Sequence, residues 1–238
     1  MSLQVRDRDR PGILSLAAVG TFDALSIARE YATRRQLFAA AVLRHVALVA
    51  WSVGPAIAIG FPLGVAAVRD PRLQGALFAI LNLLQTIPSI ALFGLLMVPL
   101  AALGVGGIGI APAIVALVLY ALLPVVRNTV AGLSGVDTAV IEAARGMGLT
   151  AGQIFRQIEL PLALPVFLAG LRIVLVQVIG LAVVAALIGA GGLGTFVFEG
   201  LGQYAVDLVL LGALPAILLA LAADFLLQTL SAVLRPLR

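Results

Sequence analysis

The chain has 238 residues, of which 62% are hydrophobic and 11% are charged, and its formal net charge is +4. Soluble domains contain about 45–50% apolar and about 25% charged residues, so a soluble fold could not bury this much apolar surface. The absence of cysteine excludes disulfides and thiolate metal sites, and the single histidine, His45, cannot build a metal centre alone. The basic residues are all arginines and sit beside apolar runs, which is typical of membrane boundaries rather than of nucleic-acid binding. We therefore predict an integral membrane protein with no metal site and no nucleic-acid partner.

Five apolar runs are long enough to cross a bilayer as helices, which requires about 20 residues each. They are Val46 to Val68, Leu73 to Leu103, Ala111 to Val126, Pro165 to Ile188 and Asp207 to Leu230. The second run is too long for one simple span and contains Pro88 and Pro99, so we expect a kinked or broken helix there. Backbone polar groups in lipid must be satisfied within each segment. The fold class predicted is therefore an all-α polytopic membrane helix bundle with five core transmembrane helices.

Arginine placement gives the orientation of these spans. The short loop 69–72, the long loop 127–164 and the tail 233–238 all carry arginine and would lie on one side. The positive-inside rule makes that side the cytoplasm. An odd number of spans then puts the N-terminus outside, together with the arginines of the first 44 residues.

The N-terminal segment 1–40 leaves two interpretations open. Residues 11–28 could form a sixth, short span that returns the N-terminus to the cytoplasm, although Asp23 would be costly within the bilayer. Alternatively, Ser26 to Leu43 could form an amphipathic helix on the outer surface. The sequence does not choose between them, so the orientation of the N-terminus stays undecided.

The polar segment 127–164 is far longer than the connections of about 2–8 residues that usually join bundle helices. Asp137 is expected to cap a helix that runs from about Thr138 to Met147. The capping box Thr150–Gln153 is expected to start a second helix, after a break that Gly148 allows. Pro161 is expected to end this second helix. The segment is therefore predicted to be a structured two-helix loop.

Both loop helices carry an apolar side but too few residues for a core of their own. These sides comprise Val140, Ala143, Ala144 and Met147 on the first helix, and Ile154, Phe155 and Ile158 on the second. Such a loop must press against its own bundle or enter the groove of a partner. The pattern alone does not decide which.

Seven positions of this loop match, at fixed spacing, the EAA loop of bacterial ABC importer permeases, which the chain resembles. They are Glu142, Ala143, Ala144, Gly148, Ile158, Leu160 and Pro161. In that family the loop docks in a cleft of a cytoplasmic ATPase. The resemblance implies that the first four positions contact the ATPase, whereas Ile158, Leu160 and Pro161 anchor the loop to the next span. It also implies a type-1 permease domain over 41–232 with a coupling loop over 128–164.

Three further motifs are similar to the osmoprotectant subgroup, whose permeases import glycine betaine, carnitine or choline. They are Gln85–Ser89, Leu119–Pro124 followed by Arg127 and Asn128, and Ile188–Gly194. The resemblance implies a bacterial inner-membrane assembly of two identical or homologous permeases, two ABC ATPase subunits and an external substrate-binding protein. ATP and Mg²⁺ would bind the ATPase, with no cofactor in this chain.

Two alternatives stay open on the sequence. The permease could carry an amino acid such as methionine, since the substrate assignment rests on resemblance alone. A different class, the ion-coupled secondary transporter, usually shows two internal repeats and ionisable residues near the membrane midplane. No convincing repeat occurs here, and Asp224 is the sole acid well inside a predicted span.

Four polar residues within the apolar runs are candidates for a translocation path: Asn82, Gln85, Thr86 and Gln177. The competing interpretation is hydrogen bonding between helices. Asp224 is expected to pair with an arginine of the C-terminal tail, and Arg172 to extend towards the cytoplasmic interface. No nucleophile–base pair, carboxylate pair or metal cluster occurs in the sequence, so we expect neither catalytic residues nor a metal site.

Overall fold

A computed structural model describes residues 24–233, which contain nine α-helices and no β-strand. The helices are α1 (Ala24–Arg69), α2 (Pro71–Thr86), α3 (Ser89–Ala102), α4 (Ile110–Ser134), α5 (Thr138–Gly146), α6 (Ala151–Ile154), α7 (Leu160–Val184), α8 (Gly194–Gln203) and α9 (Val206–Val233). A π-helical segment (Phe155–Glu159) joins α6 to α7, and a 3-10 turn (Ala185–Ile188) extends α7. The predicted all-α polytopic bundle is confirmed.

Helices α1 and α4 run parallel to each other through the centre of the bundle. Gly60 of α1 faces Val125 of α4, and Gly64 faces Thr129 one turn further along both helices. The absence of a side chain at the two glycines lets the helices approach closely. This contact explains the Gly-x-x-x-Gly spacing in the first span.

Because α1 and α4 point the same way, the chain between them must return across the membrane. That return is made by α2 and α3, which are bent by 102° where Ile87 and Pro88 separate them. Four other helical stretches are long and apolar enough to cross on their own, namely Ser26–Arg69, Ile110–Ser134, Ala151–Ile188 and Val206–Val233. The described chain thus crosses five times, and the predicted broken second span is the α2–α3 pair.

Helix α7 is antiparallel to α1 and α4 and closes the core between them. The Phe61 and Phe167 rings meet edge to face at 5.4 Å between centroids. At the other end of this contact, His45 Nε2 lies 3.2 Å from the Ile179 carbonyl oxygen. The buried core around these contacts includes Leu117, Val174 and Val178.

The N-terminal part of α1 is helical and continuous with the first span, apart from a kink at Arg34. Its Phe38 ring lies 6.3 Å from the Phe196 ring of α8, and the Arg34 guanidinium donates to Glu199 at 2.7 Å. With 46 residues, α1 is about 69 Å long, more than the about 40–45 Å of a whole bilayer. Ser26–Leu43 is helical, as one interpretation requires, and its position on the outer surface stays a prediction. The other interpretation, a sixth span over 11–28, falls mostly on residues outside the described part of the chain and also stays a prediction.

Candidate functional site: the cytoplasmic loop and the polar groups of the bundle

The loop between α4 and α7 begins with the two helices expected from its capping residues. Asp137 Oδ1 accepts a hydrogen bond from the Ala139 N–H at 2.8 Å and so caps α5. Gln153 Oε1 accepts from the Thr150 N–H at 2.8 Å in the capping box that opens α6. Between them Gly148 has φ +86°, in the left-handed region where glycine avoids the strain of a side chain. The predicted helix–break–helix is confirmed.

The apolar and docking residues predicted in and just after α5 divide between two surfaces. Val140 and Met147 are exposed, by 42% and 73%, and Ala143 is exposed between them. We call these three residues the loop face. Ala144, by contrast, is 0% exposed, because it points back towards this chain. Glu142 and Gly148 are exposed beside the loop face. The apolar residues expected to share one side are therefore divided: Ala144 packs against this chain, whereas the loop face is exposed.

Pro161 does not end the second loop helix, contrary to expectation. The helix continues from α6 through the π-helical segment directly into α7, with the Leu160 N–H donating to the Phe155 carbonyl. Proline disrupts a helix through its missing N–H and its ring, but it is tolerated in the first turn. Pro161 occupies that position in α7, and the wider π turn precedes it. Ile158 and Leu160 are half-buried within this continuous rod.

The loop is also held against the end of α1. The Arg69 guanidinium lies 5.8 Å from the centre of the Phe155 ring, within the range of a cation–π contact. Ile154 is buried beside it, at 4% exposure. The loop thus packs on its own bundle on one side and leaves the loop face open on the other.

Gln85, one of the candidate path residues, is held by the backbone of α4. Its Nε2 donates to the Tyr120 carbonyl at 2.7 Å. In a regular helix that carbonyl would accept from the N–H four residues later, but that residue is Pro124, which has no N–H. The Tyr120 hydroxyl in turn donates to the Ile87 carbonyl, at the break between α2 and α3. These contacts are those of helix packing, and a role of Gln85 in the path stays a prediction.

Replacing Gln85 by leucine is expected to destabilise the protein by about 1–3 kcal/mol, because the Tyr120 carbonyl loses its donor. Pro124→Ala restores a backbone N–H in α4, so the double variant should recover most of the loss. Thermal unfolding of the purified wild type, the two single variants and the double variant forms a complete cycle. Purely additive losses would show that the Gln85 amide does not replace the missing N–H of Pro124.

The other α2 candidates are also engaged by neighbours. Asn82 Oδ1 accepts from Arg127 Nη2 at 3.0 Å, and Arg127 lies 5.9 Å from the centre of the Phe78 ring. The Thr86 hydroxyl donates locally to the Leu83 carbonyl at 2.7 Å. Arg127 thus has two partners in α2, and α4 continues to Ser134, eight residues beyond the end of the apolar run at Val126.

Asp224 and Arg172 pair with each other, which corrects both sequence expectations. Arg172 Nε donates to Oδ1 of Asp224 at 2.7 Å, and Nη2 donates to Oδ2 at 2.8 Å. Asp224 therefore has its partner in α7 rather than in the tail, and Arg172 does not extend to the interface. Gln177, the fourth path candidate, lines the same groove as this pair. The partners are 52 positions apart in the sequence, which explains why no local pattern revealed the contact.

Comparison with known proteins identifies the family. The family model named binding-protein-dependent transport system inner membrane component matches residues 56–236 of this chain. The chain is 46% identical over 198 residues to the osmoprotectant import permease protein OsmW of Salmonella typhimurium, covering 83% of this chain and 92% of that protein. It is 43% identical over 180 residues to the carnitine transport permease protein OpuCB of Listeria monocytogenes, covering 76% and 80%.

Among solved structures, an inward-facing form of the MetNI methionine ABC transporter matches with a TM-score of 0.71 at 26% identity, covering 83% of this chain and 97% of that chain. The matched fold and the five crossings agree with a multi-pass protein of the bacterial inner membrane. The sequence resemblance to ABC importer permeases is confirmed, and the chain belongs to the family of binding-protein-dependent transport system inner membrane components.

Proposed function

We propose that this chain is the permease subunit of an ATP-driven importer for a small osmoprotectant such as glycine betaine, carnitine or choline. ATP and Mg²⁺ bind a separate ATPase subunit, and this chain itself needs no cofactor. The observation that carries the proposal is the loop face, an exposed apolar surface on a cytoplasmic loop that is built into α7. Exposed apolar patches with polar rims are characteristic of protein interfaces.

We assign the ATPase contact to Glu142, Gly148 and the loop face, which includes Ala143, because all of them are accessible. Ala144 supports that surface from beneath, because its side chain is buried in this chain. Ile158, Leu160 and Pro161 link the loop to α7.

The proposed substrate follows from the relatives. Proteins named for osmoprotectant, carnitine, glycine betaine or choline transport are 38–46% identical to this chain. The methionine transporter is similar in fold at 26% identity, so a quaternary ammonium solute is favoured over an amino acid. An external binding protein delivers the solute. Two permeases, identical or homologous, enclose the path, because five helices from one chain enclose little volume.

The test is uptake by vesicles whose membrane holds the permease and its ATPase, with the binding protein added outside. With ATP trapped inside, radiolabelled glycine betaine, carnitine or choline is expected to accumulate, and an ionophore should not reduce the uptake. Methionine serves as the matched control solute. Accumulation driven by an ion gradient without ATP would favour a secondary transporter, whereas uptake of methionine alone would overturn the substrate assignment.

A further inference from the structure

The Arg172–Asp224 pair lies near the middle of the membrane. On α7, Arg172 is between Phe167, whose ring meets Phe61 of α1, and Ile179, whose carbonyl meets His45 of α1. Arg172 is thus level with the stretch of α1 between residues 45 and 61. Interpolation between these two contacts puts Arg172 level with about residue 54 of α1, roughly midway between Arg44 and Arg69 at the two ends of the first apolar span.

The pair is not enclosed by the described part of the chain. The side chains of Arg172 and Asp224 are 30% and 35% exposed. The two hydrogen bonds use two of the five N–H groups of the guanidinium, and the carboxylate oxygens can each accept another bond. Both charged groups therefore present free hydrogen-bonding capacity to whatever lies beside them.

A third polar side chain faces the same groove. Gln177 lines it together with the pair, and Ile173 and Val176 provide apolar walls that are 59% and 42% exposed. Within residues 24–233, no group hydrogen-bonds to the Gln177 amide. Three polar groups thus open into one groove at mid-membrane depth.

Exposure of this groove to lipid would be energetically unfavourable. Hydrocarbon cannot hydrogen-bond, and charged or amide groups exposed to it are costly, so polar residues within spans face protein or a water-filled cavity. We propose that this groove faces the water-filled translocation path and contacts the solute in transit. The proposal adds Arg172 and Asp224 to Gln177 as residues that determine specificity.

The chemistry of the groove fits a solute that carries both a carboxylate and a quaternary ammonium, which rests on the proposed function. The planar guanidinium of Arg172 binds Asp224 through two parallel hydrogen bonds, and the carboxylate of a zwitterion can take the same position. Asp224, so released, faces the quaternary ammonium, which has no N–H and is held by charge. Ile173 and Val176 offer apolar contact to its methyl groups.

Water access can be tested without measuring transport, because the chain has no native cysteine. Ile173→Cys places a thiol in the groove. Leu226→Cys is the matched control, since Leu226 is 68% exposed at almost the same depth as Asp224 but about 200° around α9. The probe is a methanethiosulfonate bearing a trimethylammonium group, which forms a disulfide with a cysteine thiolate and releases methanesulfinate.

The assembled transporter with its ATPase is expected to label at Ile173→Cys at least about ten times faster than at Leu226→Cys, because the reacting thiolate forms in water and not in lipid. Glycine betaine should slow labelling of Ile173→Cys. Equal rates at the two positions, or no labelling at either, would overturn the placement of the groove in the path.

Solute selectivity tests the role of the charges. Arg172→Gln is expected to reduce uptake of glycine betaine, which has a carboxylate, by about tenfold more than uptake of choline, which has none. Asp224→Asn should reduce uptake of both. An equal loss of the two solutes in Arg172→Gln would mean that the pair only braces α7 against α9. Failure of the wild type to import either solute would instead contradict the proposed function, and the labelling result would still stand.

Discussion

Arginine in place of Ala143 is expected to abolish ATP-driven uptake while the permease remains folded. Ala143 lies at the centre of the loop face and is exposed, so a larger side chain can extend into solvent. In a complex, however, its charge and bulk would enter an apolar contact with the ATPase. Truncations or charges at the centre of an interface commonly cost 2 kcal/mol or more, about a 30-fold loss of affinity. Co-purification of the ATPase with the tagged permease measures this loss.

Ser134→Arg is the matched control for the added charge. Ser134 is also exposed at the cytoplasmic end of the bundle, but it lies in α4 rather than on the loop face. A positive charge at the C-terminal end of a helix is favourable, so this variant should fold, bind the ATPase and transport normally. If Ala143→Arg retained wild-type binding and uptake, the loop face would not be the docking surface.

Leucine in place of Gly64 is expected to damage the bundle itself. A Cβ at this position would lie 2.6 Å from the Thr129 Cβ and 3.2 Å from the Val126 carbonyl oxygen. Because two helices meet there, neither backbone can move alone. Overpacking of this kind costs about 1–3 kcal/mol, which corresponds to a fall of about 2–12 °C in Tm. The change should appear in the thermal unfolding of the purified protein and in its yield from membranes.

Gly54→Leu provides the comparison on the same helix. A Cβ at Gly54 meets nothing within 4 Å, so the same side chain adds no clash there. Its Tm should stay within about 2 °C of the wild type. A similar fall in both variants would attribute the effect to leucine in α1 in general and not to the contact between α1 and α4.

The features predicted correctly from sequence depend on neighbouring residues or on long apolar runs. Asp137 and the Thr150–Gln153 box act within one turn, so their capping roles could be identified from spacing alone. The break near Pro88 was likewise expected from excess length and proline. The length of an apolar run does not show where its helix ends. Helix α4 continues past Val126 to Ser134, and the contact of Arg127 with Asn82, 45 positions earlier, has no local sequence signal.

The interior of the site required the three-dimensional structure. Gln85 and Pro124 are each ordinary in sequence, and only their proximity shows that an amide replaces a missing N–H. Asp224 and Arg172 are 52 positions apart, and the sequence alone did not indicate that they pair. Pro161 was misjudged for a different reason, since its effect depends on whether a wider turn precedes it. Pairings across helices are fixed by packing, which a single sequence does not encode at identifiable spacing.

The unbroken passage from α6 through the π-helical segment into α7 limits how the loop can move. A flexible connector would absorb a displacement of the loop, but a helical rod transmits it as tilt or as rotation about its own axis. The same rod carries Arg172 about 18 Å from Leu160. Two features between the loop and the pair allow the rod to adjust: the π turn, whose hydrogen bonds can change register by a residue, and Pro165, which lacks an N–H. We therefore expect a displacement of the loop at the cytoplasmic surface to reach the charged pair as a tilt or rotation of α7.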